Sequence, residues 1–176
     1  MVLAKVWQIY DDIGYTACTT GNLKLAEQMF TLAIESCASK RSMKEQRLKS
    51  LIGLADTMLL SNRRAECSRL YNRVINLLAR EGTANDHERY MLAHALEKQA
   101  YIRFEEKQDE EAVKLLQRSM RLLERIYGSV HDALVPRLLQ LSRMHAQMKN
   151  TDQSLACLTR ARRIQTESDR SSHQSD

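Results

Sequence analysis

Residues 7–33 read WQIYDDIGYTACTTGNLKLAEQMFTLA, and this stretch decides the fold. Large apolar residues fall at Tyr10, Ile13 and Phe30, small ones at Gly14, Ala26 and Ala33, and a Gly21-Asn22 turn signal separates the halves. This spacing predicts two amphipathic helices joined by a tight turn, with small residues where the helices approach closely. Used as a ruler, the unit recurs three more times. The first small position reads Gly14, Ala55, Ala100, Ser142; the second Ala26, Cys67, Ala112, Ser154; the third Ala33, Val74, Ser119, Ala161. Two large apolar rows track them: Tyr10, Leu51, Leu96, Leu138, and Phe30, Tyr71, Leu116, Leu158. Successive offsets at the third small position are 41, 45 and 42 residues. Five rows in register over four copies make the chain a repeat array.

These rows resemble the tetratricopeptide repeat (TPR), a helix-turn-helix unit of about 34 residues with small residues at fixed places. The greater length of each copy is similar to the 42-residue kinesin-light-chain type. The segment Gly128, Ser129, Val130, His131, followed by Leu134, Leu138, Leu141 and Ser142, resembles that type's linker and helix start. The resemblance implies an all-α fold, a right-handed α-solenoid of four TPR units and eight helices. The expected domain is a single solenoid over 3–167, with repeats at about 3–39, 41–81, 85–128 and 131–167.

Composition agrees with a helical chain. The sequence has 176 residues with five glycines and one proline, too few for a turn-rich β fold. Each helix pair carries more apolar surface than it can bury within itself, so neighbours must stack. Gly82 and Gly128 read as helix C-caps, and Asp109 and Thr151 as N-caps. Pro136 falls in the first turn of its helix, where proline is tolerated. Gln99, Arg103 and His145 stand where an apolar residue is usual, which questions how tightly the last interfaces pack. The last helix, with Leu155, Leu158 and Ile164 on one stripe, is expected to cap itself. The alternatives are a longer array or cover from another subunit. The polar stretch 168–176, SDRSSHQSD, is expected to be a disordered tail.

No run of 18 apolar residues is present, and the N-terminal stretch has acids where a signal peptide needs an apolar core. Cys18, Cys37, Cys67 and Cys157 are scattered and are expected to be reduced thiols in a cytoplasmic protein. No catalytic, metal or cofactor motif occurs, so the expectation is a protein that is not an enzyme and carries no cofactor.

Two surfaces are candidates for function. The resemblance implies a concave groove lined by the first helix of each pair. Between the packing rows these offer Tyr15, Lys49, Ile52, Asp56, Leu59, Leu60, His94, Glu97, Tyr101, Phe104, Glu105, Leu139 and Arg143, an apolar set for a surface facing water. Asp11, Asp56, Glu97 and Glu105 outnumber Lys49 and Arg143 there, which favours a ligand with apolar anchors and some Lys or Arg. The second surface is a convex basic ridge on the second helices, spaced 4, 3 and 4 residues: Arg69, Arg73 and Arg80; Lys114, Arg118, Arg121 and Arg125; Arg160 and Arg163.

The leading expectation is a non-catalytic scaffold or adaptor holding a partner peptide or helix in the groove. One alternative is a binder of acidic surfaces (nucleic acid, anionic lipid or acidic protein) through the ridge; another is a regulatory sensor of a small peptide. A homo-oligomer through the solenoid ends is a further partner option. A solvated charged face accounts for the ridge equally well, and inter-helix packing for the apolar groove residues.

Overall fold

The computed structural model describes residues 2–38 and 41–172. Those residues form eight α-helices and no strand: α1 Val2–Thr19, α2 Leu23–Cys37, α3 Lys44–Leu60, α4 Arg64–Glu81, α5 Asp86–Glu105, α6 Asp109–Tyr127, α7 Val135–Gln147 and α8 Thr151–Ser172. Single 3-10 turns, Arg41–Met43 and Asp132–Leu134, lead into α3 and α7. The helices fall into two compact units divided between Thr83 and Ala84, with two helix pairs in each.

The turns inside the four pairs share one geometry. Gly21, Asn62, Lys107 and Lys149 all have positive φ, at 77°, 57°, 63° and 61°. They follow one another at the same 41, 45 and 42 offsets as the packing rows. In each turn the next residue's N–H reaches back to a carbonyl in the closing helix: Asn22 to Ala17, Arg63 to Met58, Gln108 to Arg103 and Asn150 to His145, all at 2.8–2.9 Å. The left-handed residue thus reverses the chain while satisfying carbonyls that a helix end leaves open. Glycine reaches this conformation freely and asparagine with little strain, whereas a lysine pays for its Cβ.

The second helices start with fewer side-chain caps than the sequence suggests. Asn22 and Asn85 do cap, accepting from the N–H of Leu25 and Glu88. Asp109, expected as an N-cap, is instead the first residue of α6 after Gln108, and Thr151 is the first residue of α8. The shift by one residue follows from the turn, whose left-handed residue sets where the next helix begins. Asp109 there acts on the helix dipole. Gly82 and Gly128 end α4 and α6 as expected.

In unit 1 the centre is Phe30 of α2, fully buried. Its ring lies against two backbones. A Cβ placed on Gly14 of α1 would stand 2.9 Å from the ring, and one on Gly53 of α3 would stand 2.5 Å from it. Tyr15 meets Phe30 edge-on at 5.0 Å. In unit 2, Leu116, Met120 and Leu123 of α6 pack with Leu134, Leu138, Leu141 and Met144 around α7. The small-residue rows are closed by hydroxyl contacts: Ser119 Oγ donates to the Ala93 carbonyl at 2.7 Å, and Ser142 and Ser154 hydroxyls meet at 2.9 Å. Gln99 and His145 are buried within this unit, and half-buried Arg103 is held by Glu106 and Glu111.

Two expectations for the C-terminal part need correction. The stripe on α8 is split: Ile164 and Ala161 are buried, while Leu155 and Leu158 are 61% and 44% exposed. The helix turns Ser154, Ala161 and Ile164 inward, and the two leucines lie to the side of that line, so α8 does not cap itself fully. The tail expected to be disordered from 168 is helical as far as Ser172, where the Ser168 hydroxyl donates to Asp132 at 2.6 Å. Residues 173–176 lie outside the described residues.

Two stability measurements test this account. Gly53→Ala should destabilise unit 1 by about 1–3 kcal/mol through overpacking, despite alanine's better helix propensity of about 1 kcal/mol. Adding Phe30→Leu should cost less in that background than alone. A net gain for Gly53→Ala in urea unfolding would contradict the close approach. Conversely, Lys107→Gly and Lys149→Gly should each stabilise by about 0.5–1 kcal/mol by relieving left-handed strain, and a loss in either melt would count against the shared turn.

Candidate functional site

The first helices of unit 1, α1 and α3, are joined by a polar clamp rather than by apolar packing alone. Asp11 is fully buried, and its carboxylate accepts the Ser50 hydroxyl at 2.9 Å and lies 3.0 Å from the Lys49 ammonium. The Trp7 indole N–H donates to Ser50 Oγ at 2.7 Å. Lys49 Nζ sits between two rings, 5.3 Å from the Trp7 centroid and 5.4 Å from the Tyr15 centroid. One turn along, Cys18 and Thr57 are in contact at 3.2 Å. Trp7, Asp11, Tyr15 and Cys18 form one stripe of α1, set against Lys49, Ser50 and Thr57 of α3. Burial first, then the charges of Asp11 and Asp56, pushes the Tyr15 phenol well above its ordinary range, so it stays neutral.

Unit 2 repeats the device with different residues. Glu97 of α5 pairs with Arg137 of α7 at 2.5 Å, both side chains being largely covered. Asp11 and Glu97 each follow the first large apolar residue of their repeat, Tyr10 and Leu96. An acid at one repeat position therefore ties the first helix to that of the next repeat in both units. A buried carboxylate is tolerated only with such partners.

These clamps change the reading of the groove residues. Lys49, Asp56 and Glu97 are engaged within the protein; Asp56 accepts the Tyr71 hydroxyl. Ile52 is 8% exposed and belongs to the core, because α3 is covered on several sides and buries Ser50 through Gly53. The acidic excess inferred for the groove is accordingly reduced, and with it the argument for a basic ligand. On unit 1, Leu60 is 63% exposed, Tyr15 is exposed and Leu59 half-buried. On unit 2, Tyr101 and Leu139 are 42% and 47% exposed, Glu105 and Arg143 are exposed, and Phe104 and His94 are half-buried.

The basic residues also divide by unit. Arg69, Arg73 and Arg80 are exposed on the face of α4 opposite its buried Cys67, Tyr71, Val74 and Leu78. Lys114, Arg118, Arg121 and Arg125 are exposed on α6. Arg160 is different: it is half-buried and donates to Glu124 at 2.5 Å and to the Ser129 carbonyl at 3.1 Å. Arg163 pairs with Glu167 one turn on, at 2.7 Å. Those two serve α8 locally. Neighbouring acids are drawn off the basic faces, Glu66 to Arg63 and Glu111 to Arg103.

The four cysteines are free, Cys37 and Cys67 being buried. Among the described residues no group of three His, Cys, Asp or Glu side chains is placed to hold a metal, and no helix is long and apolar enough to cross a membrane.

With this geometry in hand, the comparisons are informative about fold. Residues 91–167 match the tetratricopeptide-repeat family model. No curated protein matches the chain in sequence. Among solved structures, the apo form of RapI is similar with a TM-score of 0.82 at 14% identity, over 97% of this chain and 59% of that one. BtubC (BKLC) from P. vanneervenii gives 0.77 at 15% identity, over 93% and 64%. The kinesin light chain TPR-like repeats of Podosopora anserina give 0.75 at 18% identity, over 91% and 75%. The chain thus spans less than two thirds of the length of the first two, and at these identities the likeness is one of fold. By sequence, residues 91–167 belong to the tetratricopeptide-repeat family, and the fold is the all-α solenoid type of the kinesin-light-chain repeats.

The clamp in unit 1 has a measurable consequence. Lys49→Met leaves the buried Asp11 carboxylate without its cation and should cost about 1–3 kcal/mol. Combining it with Asp11→Asn should recover part of that loss. Trp7 is the only tryptophan, so urea unfolding followed by its emission reports on this helix pair directly. Equal loss in the single and double variants would mean the ion pair does not hold α1 to α3.

Proposed function

We propose that this tetratricopeptide-repeat chain is a non-catalytic binding module, a scaffold or adaptor whose first helices hold a peptide or helix of a partner protein. The supporting observation is the set of apolar side chains left in water on those helices, Leu60 in unit 1 and Tyr101 and Leu139 in unit 2. Each unit has already fixed its first helices to one another through Asp11–Lys49 or Glu97–Arg137. The backbone beneath the exposed residues is therefore held before any ligand arrives, which lowers the ordering cost of binding. Large apolar and aromatic side chains on such a frame are the usual anchors of peptide capture.

The ligand chemistry that fits is apolar side chains spaced along a helix or strand. Charge complementarity contributes less than the sequence implied, since the acids of this face serve internal pairs. A repeat array of this kind offers open surfaces rather than a closed, water-excluding pocket, consistent with binding and not catalysis.

Replacing Leu60, Tyr101 and Leu139 with serine tests the reading. All three are exposed, so the triple variant should keep its helical circular dichroism and melting temperature. Its capture of partner protein from the native extract should fall by about tenfold or more, the loss of roughly 1.4 kcal/mol. Undiminished capture by a folded variant would remove these residues as the binding surface.

A further inference from the structure

The outward face of α4 is a second binding surface, separate from the first-helix residues and not dependent on that reading. Arg69, Asn72, Arg73, Asn76, Leu77 and Arg80 line a shallow open trough of about 450 Å³ along this helix. Arg69, Arg73, Asn76 and Arg80 follow a 4-3-4 spacing on one face, covering roughly 16 Å at 1.5 Å per residue. The face carries no acid. Glu66, at its start, is bonded through both carboxylate oxygens to Arg63, and Glu81, at its end, pairs with Lys44. A face kept only for solubility normally mixes signs; here the acids are turned away and the arginines keep their guanidinium forks outward.

We infer that this trough binds an acidic segment of a partner protein, with carboxylates at a matching 4-3-4 or 4-7 spacing. Arginine forks pair with carboxylates two bonds at a time, which suits a row of Asp or Glu on one helix face. Asn72 and Asn76 offer both donors and acceptors, as polar groups of a peptide require. Half-buried Leu77 gives the trough an apolar floor for one aliphatic side chain. The 4-3-4 spacing reads the same in either direction, so it fits a segment of either polarity. Nucleic acid fits less well. Three cations on one line neutralise few phosphates, and the trough has no aromatic side chain for base stacking. An anionic membrane would need an exposed apolar wedge, and the trough has none.

The test uses the full chain and a fluorescein-labelled 15-residue alanine-based helical peptide with glutamates at 4-3-4 spacing and one leucine, followed by anisotropy. Three further probes are a peptide of the same composition with scrambled glutamates, a mixed-sequence single-stranded DNA, and phosphatidylserine vesicles. The ordered peptide should bind, and Arg69→Gln/Arg73→Gln/Arg80→Gln should weaken it by about tenfold or more. Lys114→Gln/Arg118→Gln/Arg121→Gln, which removes the same charge from α6, should leave affinity nearly unchanged. All six residues are exposed, so both variants should keep the wild-type circular dichroism; if the α4 triple does not, Arg73→Gln alone is read in its place. Equal loss from the two triples, equal binding of the scrambled peptide, or tighter binding of DNA or vesicles would each overturn the proposal.

Discussion

Unit 1 depends on one contact, the ring of Phe30 held between the backbones of α1 and α3. A phenyl ring in that place brings several kcal/mol of apolar burial, but only if both neighbouring helices present no Cβ where the ring lies. Gly14 and Gly53 meet that condition. The cost is two glycines in helix interiors, each about 1 kcal/mol worse than alanine. The ring's edge then receives Tyr15, and Tyr15 in turn forms one wall around Lys49. The polar clamp on the inner side and the apolar contact beneath it are therefore built from neighbouring positions of the same two helices. Unit 2 has Leu116 where unit 1 has Phe30. Its fourth repeat has Gln140 and its third Lys98 where the second has Gly53. A smaller core residue removes the need for glycine, so the same architecture is reached with a different division of volume.

The repeat rows were legible because backbone proximity constrains residue size without reference to chemistry. Every small-row residue from Gly14 to Ala161 is buried, as is the Leu51, Leu96 and Leu138 part of the first large row. Leu158 departs because no described helix packs on that side of α8. The turn row of Gly21, Asn62, Lys107 and Lys149 was not legible, although its spacing is the same. Two lysines there give no sign of a left-handed backbone. Only the register with Gly21 carries the information, and local propensity points elsewhere.

The candidate site was less readable for a related reason. Exposure was assigned from position between packing rows, which works for Leu60, Tyr101 and Leu139. It fails for Ile52 because α3 is enclosed on more sides than a generic first helix. The acids were visible, and Asp11 and Glu97 even share a repeat position. Their partners do not: Lys49 lies two residues before Leu51, and Arg137 one before Leu138. A long flexible side chain can meet the same carboxylate from either place, so pairing leaves no periodic trace. The same freedom lets Arg160 leave its row for Glu124.

That freedom also decides how charge on this protein should be interpreted. A side chain's repeat position says which face its Cβ leaves from, and the ion pair it enters says whether its charge remains available. On the first helices most acids and bases are consumed in joining helix to helix, so the surface is left mainly with apolar and aromatic groups. On α4 the relation is reversed. Its flanking acids are tied to Arg63 and Lys44, and its own arginines have no acid within their face. The internal pairs thus separate two kinds of surface that composition alone would average together, an apolar one on the first helices and a cationic one on a second helix. A partner selected by both would need aliphatic anchors and a row of carboxylates on different segments, because no single described helix offers both.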